Sequence, residues 1–242
     1  MELTYFVHGR RDQSKVALTF DDGPNPPRTD EVLDILANAN ARATFFVIGK
    51  WVTAFPQAFE RIVRAGHVIG NHSYEHQYHV SDYDKAETVI SNITGRRTIF
   101  ARPHAFDFGA FGQTLQAQLP TTRIVDSDVN PADYAQTDPG TIARLVLEHQ
   151  SLDNGSIIDL HDGSELDDPA LRLARPLPLL QALPTIIDGL KSKGFSLVGL
   201  DEMELEGTRV WNDASPDRMV FSPTASGVVH HAAKPEEMVK SR

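Results

Sequence analysis

Two groups of polar residues in this sequence have the types and the spacing for metal-assisted chemistry. In Thr19-Phe20-Asp21-Asp22-Gly23-Pro24, two adjacent carboxylates stand on a Gly-Pro turn at the end of the apolar run Val16 to Phe20. Adjacent residues leaving a strand point in different directions, so one carboxylate can hold a metal while its neighbour faces substrate as a general base. In His72-Ser73-Tyr74-Glu75-His76, two histidines lie four residues apart. On one helical turn they share a face, and with one carboxylate they supply three ligands and leave a position for water, as an open catalytic site requires. The order of a zinc-protease motif, with Glu directly after the first His, is not met, because Ser73 stands there. Each group also has an ordinary reading. Asp-Gly and Gly-Pro are turn chemistry anywhere, and a chain with ten histidines offers such a pair by chance.

The elements that must position these residues alternate between strand and helix. Apolar runs predict strands at 16–20, 43–48, 67–70, 99–103, 123–129, 155–161 and 195–200. Between them, helices are predicted from Thr29 as N-cap, from Pro56, from Ser81 with Asp84 as a capping box, and over 113–119, 137–149 and 179–193. Short apolar strands, each followed by a helix, are the pattern of right-handed βαβ units around a parallel sheet. The length of 242 residues suits one α/β barrel, incomplete at seven strands. The polar candidates all follow strands: Asp21 and Asp22 after the first, His72 and His76 after the third, Arg102 ending the fourth, Asp133 after the fifth, His161 ending the sixth. In a βα barrel these points converge on the rim where active sites are found. Taken singly, Arg102 reads equally as a sheet-edge arginine, Asp133 as a turn residue and His161 as a core histidine; their shared rim favours function. Residues 1–14 read as an N-terminal extension, 15–204 as the catalytic domain and 205–242 as a loosely structured tail.

Composition narrows the partners. A formal charge of −10, with no basic run, argues against nucleic acid or an anionic membrane surface. The chain has no cysteine, so a metal would have to sit on histidine and carboxylate. No run reaches membrane-spanning length, and the first fifteen residues lack the apolar core of a signal peptide, which reads as a soluble chain; a trimmed export signal would leave the same sequence. Oligomeric state is left open.

The segments TFDDGP, ATFFVIG, AGHVIGNHSYEH and IIDLHD together resemble the polysaccharide deacetylase family, the carbohydrate esterases of family 4 that share the NodB homology domain. The resemblance runs from about Lys15 to Asp201 and implies a distorted, incomplete (β/α)7 TIM-like barrel, the NodB homology fold. It implies that Asp21 is the general base, that Asp22, His72 and His76 hold one divalent metal, most often Zn2+ with Co2+, Ni2+ or Mn2+ as substitutes, and that His161 is the general acid. Arg102 would orient the base and Asp133 would tune the catalytic histidine. The substrate implied is an acetylated glycan, N-acetylglucosamine units of chitin oligomers or peptidoglycan, at the cell envelope or outside the cell. Three motifs depart from the family pattern. Arg-Pro-Pro-Tyr-Gly becomes Arg102-Pro103-His104-Ala105-Phe106, so that the aromatic lining the substrate groove is either Phe106 or missing; Asp-x-x-Asp-Trp becomes Asn130-Pro131-Ala132-Asp133-Tyr134, with Tyr134 in the tryptophan's place; and the apolar residue two before the catalytic histidine, which meets the acetyl methyl, is Asp159. A methyl's burial is worth on the order of 1 kcal/mol, so a polar pocket would weaken acetyl preference without abolishing hydrolysis. An O-acetyl xylan esterase, a small-amide hydrolase and a non-catalytic carbohydrate- or metal-binding relative are the alternatives. An Asp21→Asn change separates enzyme from binder, because a binder has no need of a base.

Overall fold

The computed structural model of the chain describes residues 3–75, 77, 79–104, 110–163, 177–211 and 219–221. In chain order they form β1 (Leu3–Gly9), β2 (Lys15–Asp21), α1 (Arg28–Asn38), β3 (Ala43–Val47), α2 (Gly49–Ala54), α3 (Pro56–Arg64), β4 (Val68–Asn71) and α4 (Val80–Thr94). There follow β5 (Phe100–Ala101), α5 (Ala110–Gln118), β6 (Arg123–Ile124), α6 (Pro139–Leu147), β7 (Ile157–His161), α7 (Pro178–Ser192), β8 (Ser196–Leu197), β9 (Leu205–Trp211) and β10 (Met219–Phe221).

All seven predicted strands are present and pair in parallel, in the order β6-β5-β4-β3-β2-β7, with β8 against the start of β2. The sheet curls into an incomplete barrel. Period-two patterning sorts its side chains. Val16, Leu18 and Phe20 of β2, with Ile158 and Leu160 of β7, pack outward on Val32, Leu33 and Leu36 of α1 and Leu183, Ile186 and Ile187 of α7. Ala17, Ile157, Phe46, Phe100 and Val125 form a separate cluster inside the barrel. The next inward positions on β2 and β7 are Thr19 and Asp21, in register with Asp159 and His161. The polar face of the barrel mouth is thus the continuation of its apolar interior.

Two expectations need correction. Helix α1 is entered through Pro27 rather than Thr29, whose hydroxyl lies within the first turn and donates to Asp162. Helix α4 has no side-chain cap, so the predicted box of Ser81 and Asp84 does not form. Residues 3–9, 205–211 and 219–221 also form strands. Strand β1 pairs antiparallel with β9, which pairs with β10. Tyr5 and Val7 of β1 are buried with Tyr83, Ala101, Leu115 and Ile124. Strand β1 also bridges the gap between β6 and β7, through Phe6 to Val125 and His8 to Ser156, beside a single direct bridge from Val129 to Ile158. A partner some two hundred residues away supplies the backbone hydrogen bonds these segments need, and no local pattern announces such a partner. Among the described residues, no helix is long and apolar enough to cross a membrane.

Candidate active site

Strand β2 delivers Asp21 inward, and the chain then turns at Asp22, which takes a left-handed backbone (φ 72°). That conformation is uncommon outside glycine and is held here by close packing. The turn after β7 lies so near that a side chain at Gly163 would strike the Asp22 carbonyl, and one at Gly23 would strike the Asp162 carboxylate. The strain sends the two carboxylates different ways, as their adjacency suggests.

His72 follows β4, and its backbone N–H donates to Val47 at 3.0 Å. Its Nδ1–H donates to the carbonyl of Arg102 at 2.7 Å. This bond selects the tautomer whose Nε2 carries the lone pair, and Nε2 lies 3.4 Å from Asp22 Oδ1 and 3.7 Å from Asp21 Oδ2. Burial works against a charge on His72, but Asp21 and then Asp22 outweigh it and hold its pKa above the ordinary value. A separation of 3.4 Å is long for a hydrogen bond. It matches two donors on a tetrahedral ion with bonds of about 2.0–2.1 Å, whose donors lie about 3.3–3.4 Å apart. Oxygen and imidazole donors at this spacing fit a divalent cation.

Among the described residues, 72–75 are not helical, and His76 itself lies outside the described residues. Instead, the Asp82 carboxylate accepts from the backbone N–H of Tyr74, Glu75 and Gln77 at 3.0, 2.9 and 3.2 Å. A side chain thus gathers the backbone donors of the loop. Asn71 supports the same loop, accepting from Ser73 N–H at 2.9 Å and donating to the Tyr83 carbonyl at 3.0 Å. Asp82 and Asn71 are functional supports that the sequence reading missed; the only signal was an acidic residue in the first turn of α4.

Arg102 is 1% exposed and lies at the centre of the mouth. Its Nη1 donates to Asp21 Oδ1 at 2.8 Å, Thr19 Oγ1 at 2.8 Å and Asp159 Oδ1 at 3.1 Å, and its guanidinium stacks 4.3 Å from the Phe46 ring centroid. Burying this cation is costly, and the two carboxylates offset it. Asp21, Asp159 and His161 also bring ligand-type atoms within 4.8 Å of one another. Arg102 already compensates both of those carboxylates, so a cation among them would confront the guanidinium. Asp22 and His72, with Asp21 beside them, make the better donor set.

His161 ends β7, and Asp133 accepts from both its backbone N–H at 3.0 Å and its Nδ1–H at 2.8 Å. Burial opposes the imidazolium charge, but Asp133 outweighs it, aided by Asp159 and Asp22, and holds the His161 pKa well above 6.5. The ring's Nε2 is left to carry the second imidazolium proton. Tyr134, two-thirds exposed, sets its ring edge-on to His161 at 5.1 Å. Asp159 is buried and turned to Arg102 and Asn130; burial, then the Asp21 charge, push its carboxyl up to about 7. Phe106 lies outside the described residues.

Comparison with known proteins follows the same geometry. The sequence pattern of the family described as polysaccharide deacetylase matches residues 8–110. A peptidoglycan-N-acetylglucosamine deacetylase of Bacillus cereus is 33% identical over 214 residues, covering 82% of this chain and 71% of its own length. A chitooligosaccharide deacetylase of Azorhizobium caulinodans is 33% identical over 205 residues, covering 77% of this chain and 93% of its own. A solved peptidoglycan N-acetylglucosamine deacetylase, in complex with 4-naphthalen-1-yl-N-oxidanyl-benzamide, superposes with a TM-score of 0.72 at 32% identity over 82% of this chain and 92% of that one. With the curled parallel sheet and these relatives in hand, the chain belongs to the polysaccharide deacetylase family, carbohydrate esterase family 4.

Proposed function

We propose that this chain is a metal-dependent deacetylase that hydrolyses N-acetyl groups on N-acetylglucosamine units of peptidoglycan or chitooligosaccharides. The observation that carries the reading is Asp21, clamped by Arg102 at 2.8 Å beside the Asp22–His72 donor pair, with a protonated His161 on the neighbouring strand. Asp22 and His72, together with His76, would hold the divalent ion, which when bound supplies a Lewis acid for the acetamide carbonyl and lowers the pKa of water.

The chain's own residues perform the proton transfers. Arg102 fixes Asp21 through Oδ1, leaving Oδ2 on the His72 side to take the proton from the attacking water. His161, its Nδ1 held by Asp133, presents Nε2–H to the amide nitrogen and gives up that proton as the C–N bond breaks. Acetate and a free amine leave. The exposed ring of Tyr134 beside His161 offers an apolar face for a pyranose, although a smaller one than an indole. The named activities of the relatives support the amino-sugar substrate.

The test is acetate release from N-acetylglucosamine oligomers by zinc-loaded protein, beside Asp21→Asn protein checked for equal zinc content. Release by the parent and loss of at least about a hundredfold in the variant is the expected result. Equal release by both would remove Asp21 as base, and release from acetylxylan alone would move the substrate to an O-acetyl ester.

A further inference from the structure

Asp159 and Asn130 take no part in the proton transfers above, yet they lie between the two arms that do. Asp159 Oδ1 accepts from Arg102 Nη1 at 3.1 Å, on the same nitrogen that holds Asp21. Its Oδ2 accepts from Asn130 Nδ2 at 3.1 Å. The other end of that amide, Asn130 Oδ1, accepts from the backbone N–H of Ala132 at 2.7 Å. Ala132 has a left-handed backbone (φ 49°), and the next residue is Asp133, which holds His161. The path Asp21–Arg102–Asp159–Asn130–Ala132–Asp133–His161 is therefore continuous in hydrogen bonds and chain.

We propose that Asn130 and Asp159 are a positioning pair that sets the distance between the arm carrying the base and the arm carrying the acid. This rests on the deacetylase reading. The three bonds fit only one assignment of donors and acceptors: the carboxylate receives two donors, and the amide turns its oxygen to Ala132 and its nitrogen to Asp159. Asp159→Asn alone puts a second amide where two acceptors are needed, so one N–H must face another donor. Asn130→Asp alone sets a second carboxyl against Asp159 at the 3.1 Å now spanned by a hydrogen bond, so the pair must take up a proton or separate. The reciprocal exchange restores every bond: the carboxylate introduced at position 130 would accept from Ala132 and from the new amide at position 159, whose oxygen would accept from Arg102.

The experiment is a double-mutant cycle of Asp159→Asn, Asn130→Asp and the exchange of both, read by kcat and KM for acetate release and by urea unfolding. Each single change is expected to lower kcat at least tenfold with KM within twofold. The exchange is expected to return kcat to within threefold of the parent, and the unfolding constants to show at least fivefold coupling. A parent that releases no acetate would count against the deacetylase reading only, since the unfolding cycle still decides whether the pair exists. Additive unfolding effects, an exchange no better than the product of the singles, or a change in KM with kcat intact would overturn the proposal.

Discussion

His161 can act as an acid only if it is charged at working pH, and the structure shows how its charge is kept. Asp133 accepts from its ring and from its backbone, and this outweighs the burial that would otherwise strip the proton. Because the folded-state pKa lies well above 6.5, the basic limb of the rate profile should fall above neutrality. Asp133→Asn should move that limb to lower pH, and His161→Ala should cut kcat by about 10²–10⁴-fold at every pH. The same shift has a consequence for stability. A raised histidine pKa means the folded state holds the proton more tightly, so the contribution is complete below about 6.5 and is lost as pH rises through the folded value. The stability gap between parent and Asp133→Asn should accordingly be widest at mildly acidic pH and shrink in alkali. Parallel pH–rate curves for parent and Asp133→Asn would show that another group sets the limb.

At the scale of elements, the loop after β4 is the least regular support in the site and carries the most demanding task. Its backbone donors converge on one carboxylate, Asp82, which is itself in the first turn of α4. The helix thereby fixes the loop's path without contributing a ligand. Asp82→Ala would release three N–H groups and loosen the segment that runs from His72 toward His76. Removing a support of ligand geometry typically costs about 10–100-fold in metal affinity. We expect a drop of that size in zinc affinity, measured by competition with a chromophoric chelator, with the urea midpoint recorded alongside to separate loop effects from global unfolding. Unchanged affinity would mean that the loop is held by Asn71 and packing alone. The sequence could not disclose this arrangement, because Ser81 and Asp84 carry the spacing of a capping box while Asp82 does the structural task.

For the whole molecule, legibility follows contact distance along the chain. Strands β2, β3 and β7 are short, mostly apolar and almost wholly buried, so their pattern is local, and the period of two that buries Ala17 and Ile157 also turns Asp21 and His161 inward. The joining of Asn130 to Asp159, and of β1 to β9, depends on partners that only the closed barrel brings together. Strand β1 shows what this means for domain organisation. It fills the interval between β6 and β7, and Tyr5, fully buried, packs on residues of α4, β5, α5 and β6. If residues 3–9 and 205–211 belong to the same cooperative unit as the barrel, truncating Tyr5 must destabilise helices on its far side. Replacing a buried aromatic by Ala typically costs about 3–5 kcal/mol. Tyr5→Ala should therefore lower the urea midpoint of the helical circular-dichroism signal in one transition, since the helices belong to the barrel while β1 contributes none. A helical signal that melts at the parent midpoint would place the N-terminal strand outside the folding unit and support its treatment as an extension.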